Sequence, residues 1–265
     1  MSADLTVPPN LPLAPPDRVP DLREYPTEDG APVDNFFHAS QMDLLVEPLK
    51  ASWVGPGGGR PFLITANVGV YHTVKKPAVV PDVMLALDVQ FGSDQSLPQN
   101  RTYFIWEVGK PPDVVIEIVS PTDGGETTHK MELYARIGIE YYAVFDPEHH
   151  LQPDDLQVFA RRDGKYRPVP AVPLGDLGLG LTVWEGTYDG MSPIWLRWTD
   201  AAGNLIPTGA ERAALESQRA DDATLTAKAA VQRADREKQR ADAMAEKLAR
   251  YEARLRGAGL PTNGD

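Results

Sequence analysis

The chain contains no cysteine. That excludes disulfides and thiolate metal sites, and it fits a reducing, cytoplasmic setting. Long apolar runs are missing too: nothing approaches the roughly 18 residues that a membrane helix needs. No basic start followed by an apolar run opens the sequence, which begins rich in Pro and Asp, so no secretory signal is expected. There is no Gly-x-Ser-x-Gly elbow and no Ser/His/Asp set suited to covalent hydrolysis. The run Gly55-Pro56-Gly57-Gly58-Gly59-Arg60 lacks the Gly-Lys-Ser/Thr ending of a phosphate-binding loop and reads as a flexible turn.

Positive charge is also scarce. Lys and Arg number 26 against 38 Asp and Glu in 265 residues, a net charge of −12. From Gly209 onward the balance is even, 11 basic against 10 acidic, which leaves 15 against 28 for everything before it. Such an acidic body argues against tight, sequence-independent binding of nucleic acid, where cations supply most of the affinity. It does not exclude an enzyme that meets phosphate through bound metal ions.

What is present divides the chain into segments. Residues 1–33 carry eight prolines and read as an extended arm. Residues 34–208 carry the body. Within it, Asp34 to Lys50 has apolar residues at helical spacing, with Asp34 or Asn35 as the cap. Strands are expected over Phe62–Tyr71, Val79–Val89, Thr102–Val108, Val114–Val119 and Tyr141–Phe145. Val114–Val119 is apolar on both faces, the pattern of a strand buried between layers. A polar turn, Thr122–Thr127, leads into a helix bearing Met131, Tyr134, Ala135 and Ile137, with Gly138 as its stop. A hairpin follows, Leu156–Arg161 and Tyr166–Val169, turned by Asp163-Gly164. Short strands near Leu181–Trp184 and Ile194–Trp198 close the body. The fold class is therefore α/β. Residues 209–256 are rich in Ala, Glu, Arg, Lys and Gln and predict one long helix. A seam alternating by four and three (Ala213, Ser217, Ala220, Thr224 and onward to Leu255) has nine apolar positions of 13, a weak coiled coil. Residues 257–265 read as a disordered tail.

Glu117 is the most informative residue. A carboxylate in an apolar strand is costly to bury unless a cation, a set of hydrogen bonds or a proton offsets its desolvation. Asp82 raises the same question in its own apolar run. Two isolated acids on neighbouring strands suit a hard cation, because Mg²⁺ takes one or two carboxylates plus water and substrate phosphate. Lys130 falls near the start of the next helix, where its stem can reach back toward the strand's end. Simpler readings compete: Glu117 paired with Arg101 or Lys130 as a structural ion pair, Asp82 merely starting its strand after Pro81, Lys130 an ordinary solvated residue.

Taken together, three pieces resemble the Uma-type putative restriction endonuclease family of the PD-(D/E)XK nuclease superfamily. They are Pro81-Asp82; the segment Trp106 to Pro121 around Asp113-Val114-Val115-Ile116-Glu117-Ile118-Val119-Ser120; and Lys130-x-x-x-Tyr134-Ala135-x-x-Gly138-x-x-x-Tyr142-x-x-x-Asp146-Pro147. The likeness spans roughly residues 24–200, and Tyr25-Pro26-Thr27-x-Asp29-Gly30 resembles the family's opening. The resemblance implies a restriction-endonuclease-like core, a mixed sheet flanked by helices, and Mg²⁺- or Mn²⁺-dependent phosphodiester hydrolysis. With the composition, the expectation is a cytoplasmic DNA endonuclease that acts as a homodimer, its long tail helix an assembly or partner element. The resemblance also implies catalytic Asp82, Glu117 and Lys130, with the metal held by Asp82, Glu117 and the backbone carbonyl of Ile118. The superfamily's usual lysine lies two residues after the Glu, where this chain has Val119. Lys130 is the implied replacement. The alternative is the same fold, catalytically silent, acting as a binding or assembly module.

Other residues carry less. Glu107, Asp113 and Ser120 lie near the motif, the last two with ready structural readings. His149-His150 lacks a third ligand at matching spacing. His38 reads as core or surface, and His129 is the one histidine placed to reach the cleft. The five Trp fall on or beside strands, where core packing is expected.

Overall fold

A computed structural model describes residues 35–57, 59–74, 76–94, 96–120 and 128–258. The expectations for the Pro-rich arm, for Asp34 as a cap, for the Thr122–Thr127 turn and for residues 259–265 lie outside these residues. The chain divides into two units, Met1–Gly209 and Ala210–Asp265.

In the first unit, α1 spans Phe36–Ser52, and Asn35 caps it by accepting from the His38 N–H at 2.9 Å. The strands are β1 Phe62–Ala66, β2 Val70–Tyr71, β3 Val83–Leu87, β4 Tyr103–Phe104, β5 Val114–Ile118, β6 Tyr141–Phe145, β7 Leu156–Arg162, β8 Lys165–Pro168, β9 Leu179–Glu185 and β10 Ile194–Asp200. Two further helices are α2 Ile105–Val108 and α3 His129–Ile137. Six strands form one mixed sheet in the order β1-β3-β5-β6-β7-β8, in which only β5 and β6 run parallel. A parallel pair needs a crossover, and α3 is the helix within it. Both parallel strands are buried at every position, in keeping with runs that are apolar but for Glu117.

The sheet is covered on both faces. One face packs Val114, Ile116 and Ile118 with Met42, Leu45 and Leu49 of α1 and with Leu181, Leu196 and Trp198 of the β9–β10 hairpin. Gln41 joins α1 to β10, donating to the Leu196 carbonyl and accepting from the Leu196 N–H, both at 2.9 Å. The other face packs Met84, Val115 and Val119 with Leu133, Tyr134 and Ile137 of α3. This mixed α/β sheet with flanking helices matches the expected fold class. Trp195 and Trp198 are core residues, as the strand placement suggested.

Three strand expectations change. Phe62–Tyr71 is broken at Asn67, whose φ of 51° lies in the left-handed region that Asn tolerates, so β1 and β2 are separate. Val79–Val89 shortens to β3, with Asp82 just before it and Asp88 at φ 59° just after it. Thr102–Val108 is a strand for two residues only. It then turns as α2, which ends when Gly109 adopts φ 85° and its N–H closes on the Ile105 carbonyl at 2.8 Å. The aromatic and β-branched residues there suit a strand by propensity, and tertiary packing overrides it.

In the second unit, α4 continues from Gly209 to Gly257, 49 residues or about 74 Å at 1.5 Å per residue. Among the described residues no helix is long and apolar enough to cross a membrane.

Candidate active site

The site begins with the alternation of β5. Val115 and Val119 face α3, so Glu117 between them faces the same way. On β3, Met84 and Ala86 belong to that face, and two residues before Met84 the same side is taken by Asp82. The antiparallel register pairs Val83 with Ile116, Met84 with Val115 and Leu85 with Val114. Carried on by one residue, it sets Asp82 opposite Glu117, and residues so opposed have Cβ atoms about 4.5–5.5 Å apart. Asp82 Oδ2 also accepts from the Ile118 N–H at 2.6 Å, which fixes its carboxylate against the backbone beside Glu117.

Glu117 is wholly buried. Two side chains from α3 meet it. Lys130 Nζ lies 2.8 Å from Oε2, and the Tyr134 hydroxyl donates to Oε1 at 2.5 Å. Lys130 and Tyr134 are four apart on one helix, so they share the face that looks onto β5. Burial first, and then the negative charge of Asp82, push the Glu117 carboxyl up to about 8 against the opposing pull of Lys130 and Tyr134. Tyr134 is itself held well above its ordinary value, first by burial and then by the charge of Glu117.

The electrostatics leave room for a cation. Ionised together, the two carboxylates repel, and the charge of Asp82 helps to raise the Glu117 carboxyl for that reason. Lys130 supplies one positive charge for two acids, so the trio is net negative when both are ionised. Each Glu117 oxygen accepts one hydrogen bond, and a carboxylate oxygen has a second lone-pair direction. In an extended strand the N–H and C=O of one residue point to the same neighbour. The Ile118 N–H points to Asp82, so its carbonyl turns to that side as well. Among the described residues no group of three or more His, Cys, Asp or Glu is placed to hold a metal. Two carboxylates and a carbonyl, all oxygen donors, nonetheless fit a hard cation that keeps several waters.

Asp82, Glu117, Ile118 and Lys130 are thus brought together. Other candidates are not. Glu107 is exposed on α2. Asp113 lies at the opposite end of β5, where it accepts from the Leu87 N–H at 2.7 Å and pairs with Lys110 at 2.6 Å. Arg101 is exposed, and the cation on Glu117 is Lys130. Val119 is buried in the cluster beneath α3. His38 is buried on α1, His129 is exposed, and His149 and His150 pair with Asp155 and Glu148. Tyr134 was missed as a site residue. Its spacing from Lys130 was the available signal, but a tyrosine on a helical stripe reads as core.

The sequence model of a family described as "Uma2: Putative restriction endonuclease" matches residues 28–185, more than half of the chain. The chain belongs to the Uma2 family. Among curated proteins no match is found. The Uma2 match contains Asp82, Glu117, Ile118, Lys130 and Tyr134, and the mixed sheet with flanking helices accords with a restriction-endonuclease-like fold. Helix α4 lies outside the Uma2 match.

Proposed function

We propose that this protein is a divalent-cation-dependent endonuclease that hydrolyses phosphodiester bonds of DNA, acting in the cytoplasm as a homodimer. One observation carries the reading: a wholly buried carboxylate, Glu117, set opposite Asp82 and met by a lysine from the next helix. The Uma2 membership supports the nuclease class.

Asp82, Glu117 and the Ile118 carbonyl would hold Mg²⁺ or Mn²⁺. Such an ion supplies a bound water of lowered pKa and offsets phosphate charge. The chain's own groups do the rest. Tyr134 and Lys130 fix the two oxygens of Glu117, so the carboxylate presents one orientation across to Asp82. Lys130 is a quarter exposed while Glu117 is fully buried, so its ammonium lies at the boundary between the site and solvent. There it can orient an attacking water or offset charge developing on a phosphate. In this reading Lys130 supplies from α3 the cation missing at Val119. Metal-mediated contact is also how an acidic body meets a polyanion without a basic surface.

The test is nicking of supercoiled plasmid with Mg²⁺ or Mn²⁺. Wild type should nick, and Glu117→Gln and Asp82→Asn should each lose at least a hundredfold in rate. Equal nicking by wild type and Glu117→Gln would defeat the proposal, as would inertness of wild type across DNA and RNA substrates; the latter would favour the silent binding module.

A further inference from the structure

Helix α4 has no buried residue, and from Arg212 to Tyr251 every side chain is exposed. Such a helix carries large apolar groups into water only at a cost. Leu215, Leu225 and Val231 lie off any common stripe, but the four nearest its C-terminal end are ordered. Met244, Leu248, Tyr251 and Leu255, all exposed, follow one another at spacings of four, three and four. Extended back to Ala213, the same alternation adds seven alanines and two acids, Glu216 and Glu237. Eleven of the 13 positions are therefore apolar. This seam shares its every-seventh row, Ala213 to Leu255, with the one read from sequence, which had nine. It differs in its second row, where Glu216, Ala223, Ala230, Glu237, Met244 and Tyr251 stand in place of Ser217, Thr224, Val231, Lys238, Ala245 and Glu252. A stripe of this kind, repeating every 3.5 residues over six heptads, is the signature of helices that supercoil about each other.

The flanking rows say what covers it. One edge of the seam carries Arg219, Arg233, Arg240, Lys247 and Arg254. An antiparallel pair would set this basic row against itself. A parallel pair sets it against the other edge, which is mostly neutral, with one Lys (Lys238) and one Glu (Glu252). At the usual partner spacing of five residues across a parallel seam, Lys247 of one copy meets Glu252 of the other, and Arg233 meets Lys238. Glu237, a seam acid, faces its counterpart in the second copy with Lys238 of that copy beside it. The alanines let the two backbones approach closely but bury little area, so the Met244–Leu255 end is the anchor.

We propose that α4 is a self-pairing surface: two copies of this chain form a parallel coiled coil through the Ala213–Leu255 seam. Both chains then enter the coil from the same end. The reading rests on the helix alone and stands apart from the catalytic one.

The absence of native cysteine makes the test clean. Single cysteines are placed in the full chain at two seam positions, Ala220→Cys and Ala241→Cys, and at two outward positions, Gln218→Cys and Gln239→Cys. Facing seam positions of a parallel pair bring Cα atoms to about 6 Å, within disulfide reach. Mild oxidation should give covalent dimers of both seam variants and at least tenfold less of the outward ones. The unmodified chain should sediment as a dimer at tens of micromolar. Leu248→Glu combined with Tyr251→Glu should weaken the dimer at least tenfold while leaving Trp fluorescence unchanged. Sedimentation as a monomer, crosslinking at only one seam position, or equal crosslinking on both faces would overturn the proposal.

Discussion

Replacing Glu117 with Gln separates the cost of the buried charge from its use. In the folded chain the Glu117 carboxyl is pushed up to about 8, against an ordinary value of 4.5. A raised carboxyl means that the folded state holds its proton more tightly than the unfolded state does. Its contribution to stability is fully present below pH 4.5, declines as pH rises through the window from 4.5 to 8, and is lost above it. Each pH unit of that window is worth roughly 1.4 kcal/mol, so the loss approaches at most about 5 kcal/mol. Gln resembles the protonated acid and does not titrate. In chelator-treated protein, Glu117→Gln should match or fall slightly below wild type at pH 5 and exceed it by several kcal/mol at pH 9. Urea unfolding followed by Trp fluorescence is the suitable assay, because all five Trp lie in the first unit and report on it alone. A saturating divalent ion should invert the order at pH 8, stabilising wild type by about 3 kcal/mol at a hundred times its dissociation constant and leaving the Gln variant unmoved. Unfolding curves for the two proteins that stay parallel from pH 5 to pH 9 would refute the reasoning.

Further outcomes follow from the same geometry. Tyr134→Phe removes the donor to Glu117 Oε1 and should cost about 1–3 kcal/mol of stability, measured by urea titration, together with a weaker response to Mn²⁺. Lys130→Met should lower plasmid nicking by a factor of about 10²–10³ while the fold persists, since Lys130 lies partly in solvent. Asp146 is buried and accepts from the N–H groups of His150, Leu151 and Gln152 at 2.7–3.0 Å. Asp146→Ala should therefore destabilise by about 2–4 kcal/mol without altering the divalent-ion stabilisation of what remains folded.

Which residues would come together at the candidate site was more legible in the sequence than the local shape around them. Glu117 declared itself because a charge amid Val, Ile and Val has a desolvation cost that some partner must meet. Asp82 did so for the same reason, and the structure sets the two on one face of neighbouring strands. Lys130 was placed from its position on the following helix. Tyr134 was not, since nothing in a helical stripe of apolar residues distinguishes a tyrosine that packs from one that donates to a buried acid. The strands β5 and β6 were readable from runs that are apolar on both faces, interrupted only by Glu117. The break at Asn67 and the turn of Ile105–Val108 into helix were not, because a left-handed residue and a four-residue helix are decided by packing rather than by period. On α4 the two seams share the row Ala213 to Leu255 and differ only in the second row, and exposure does not separate them because both are open to solvent; the choice rests on the count of apolar residues, eleven of 13 against nine.

A crystal of the metal-free protein soaked in Mn²⁺, with the ion located by its anomalous scattering, tests the central claim most directly. The ion should lie within about 2.0–2.3 Å of a carboxylate oxygen of both Asp82 and Glu117 and of the Ile118 carbonyl, with water completing its shell. No ion there at saturating Mn²⁺, or an ion bound elsewhere while Glu117 stays hydrogen-bonded only to Lys130 and Tyr134, would contradict the account.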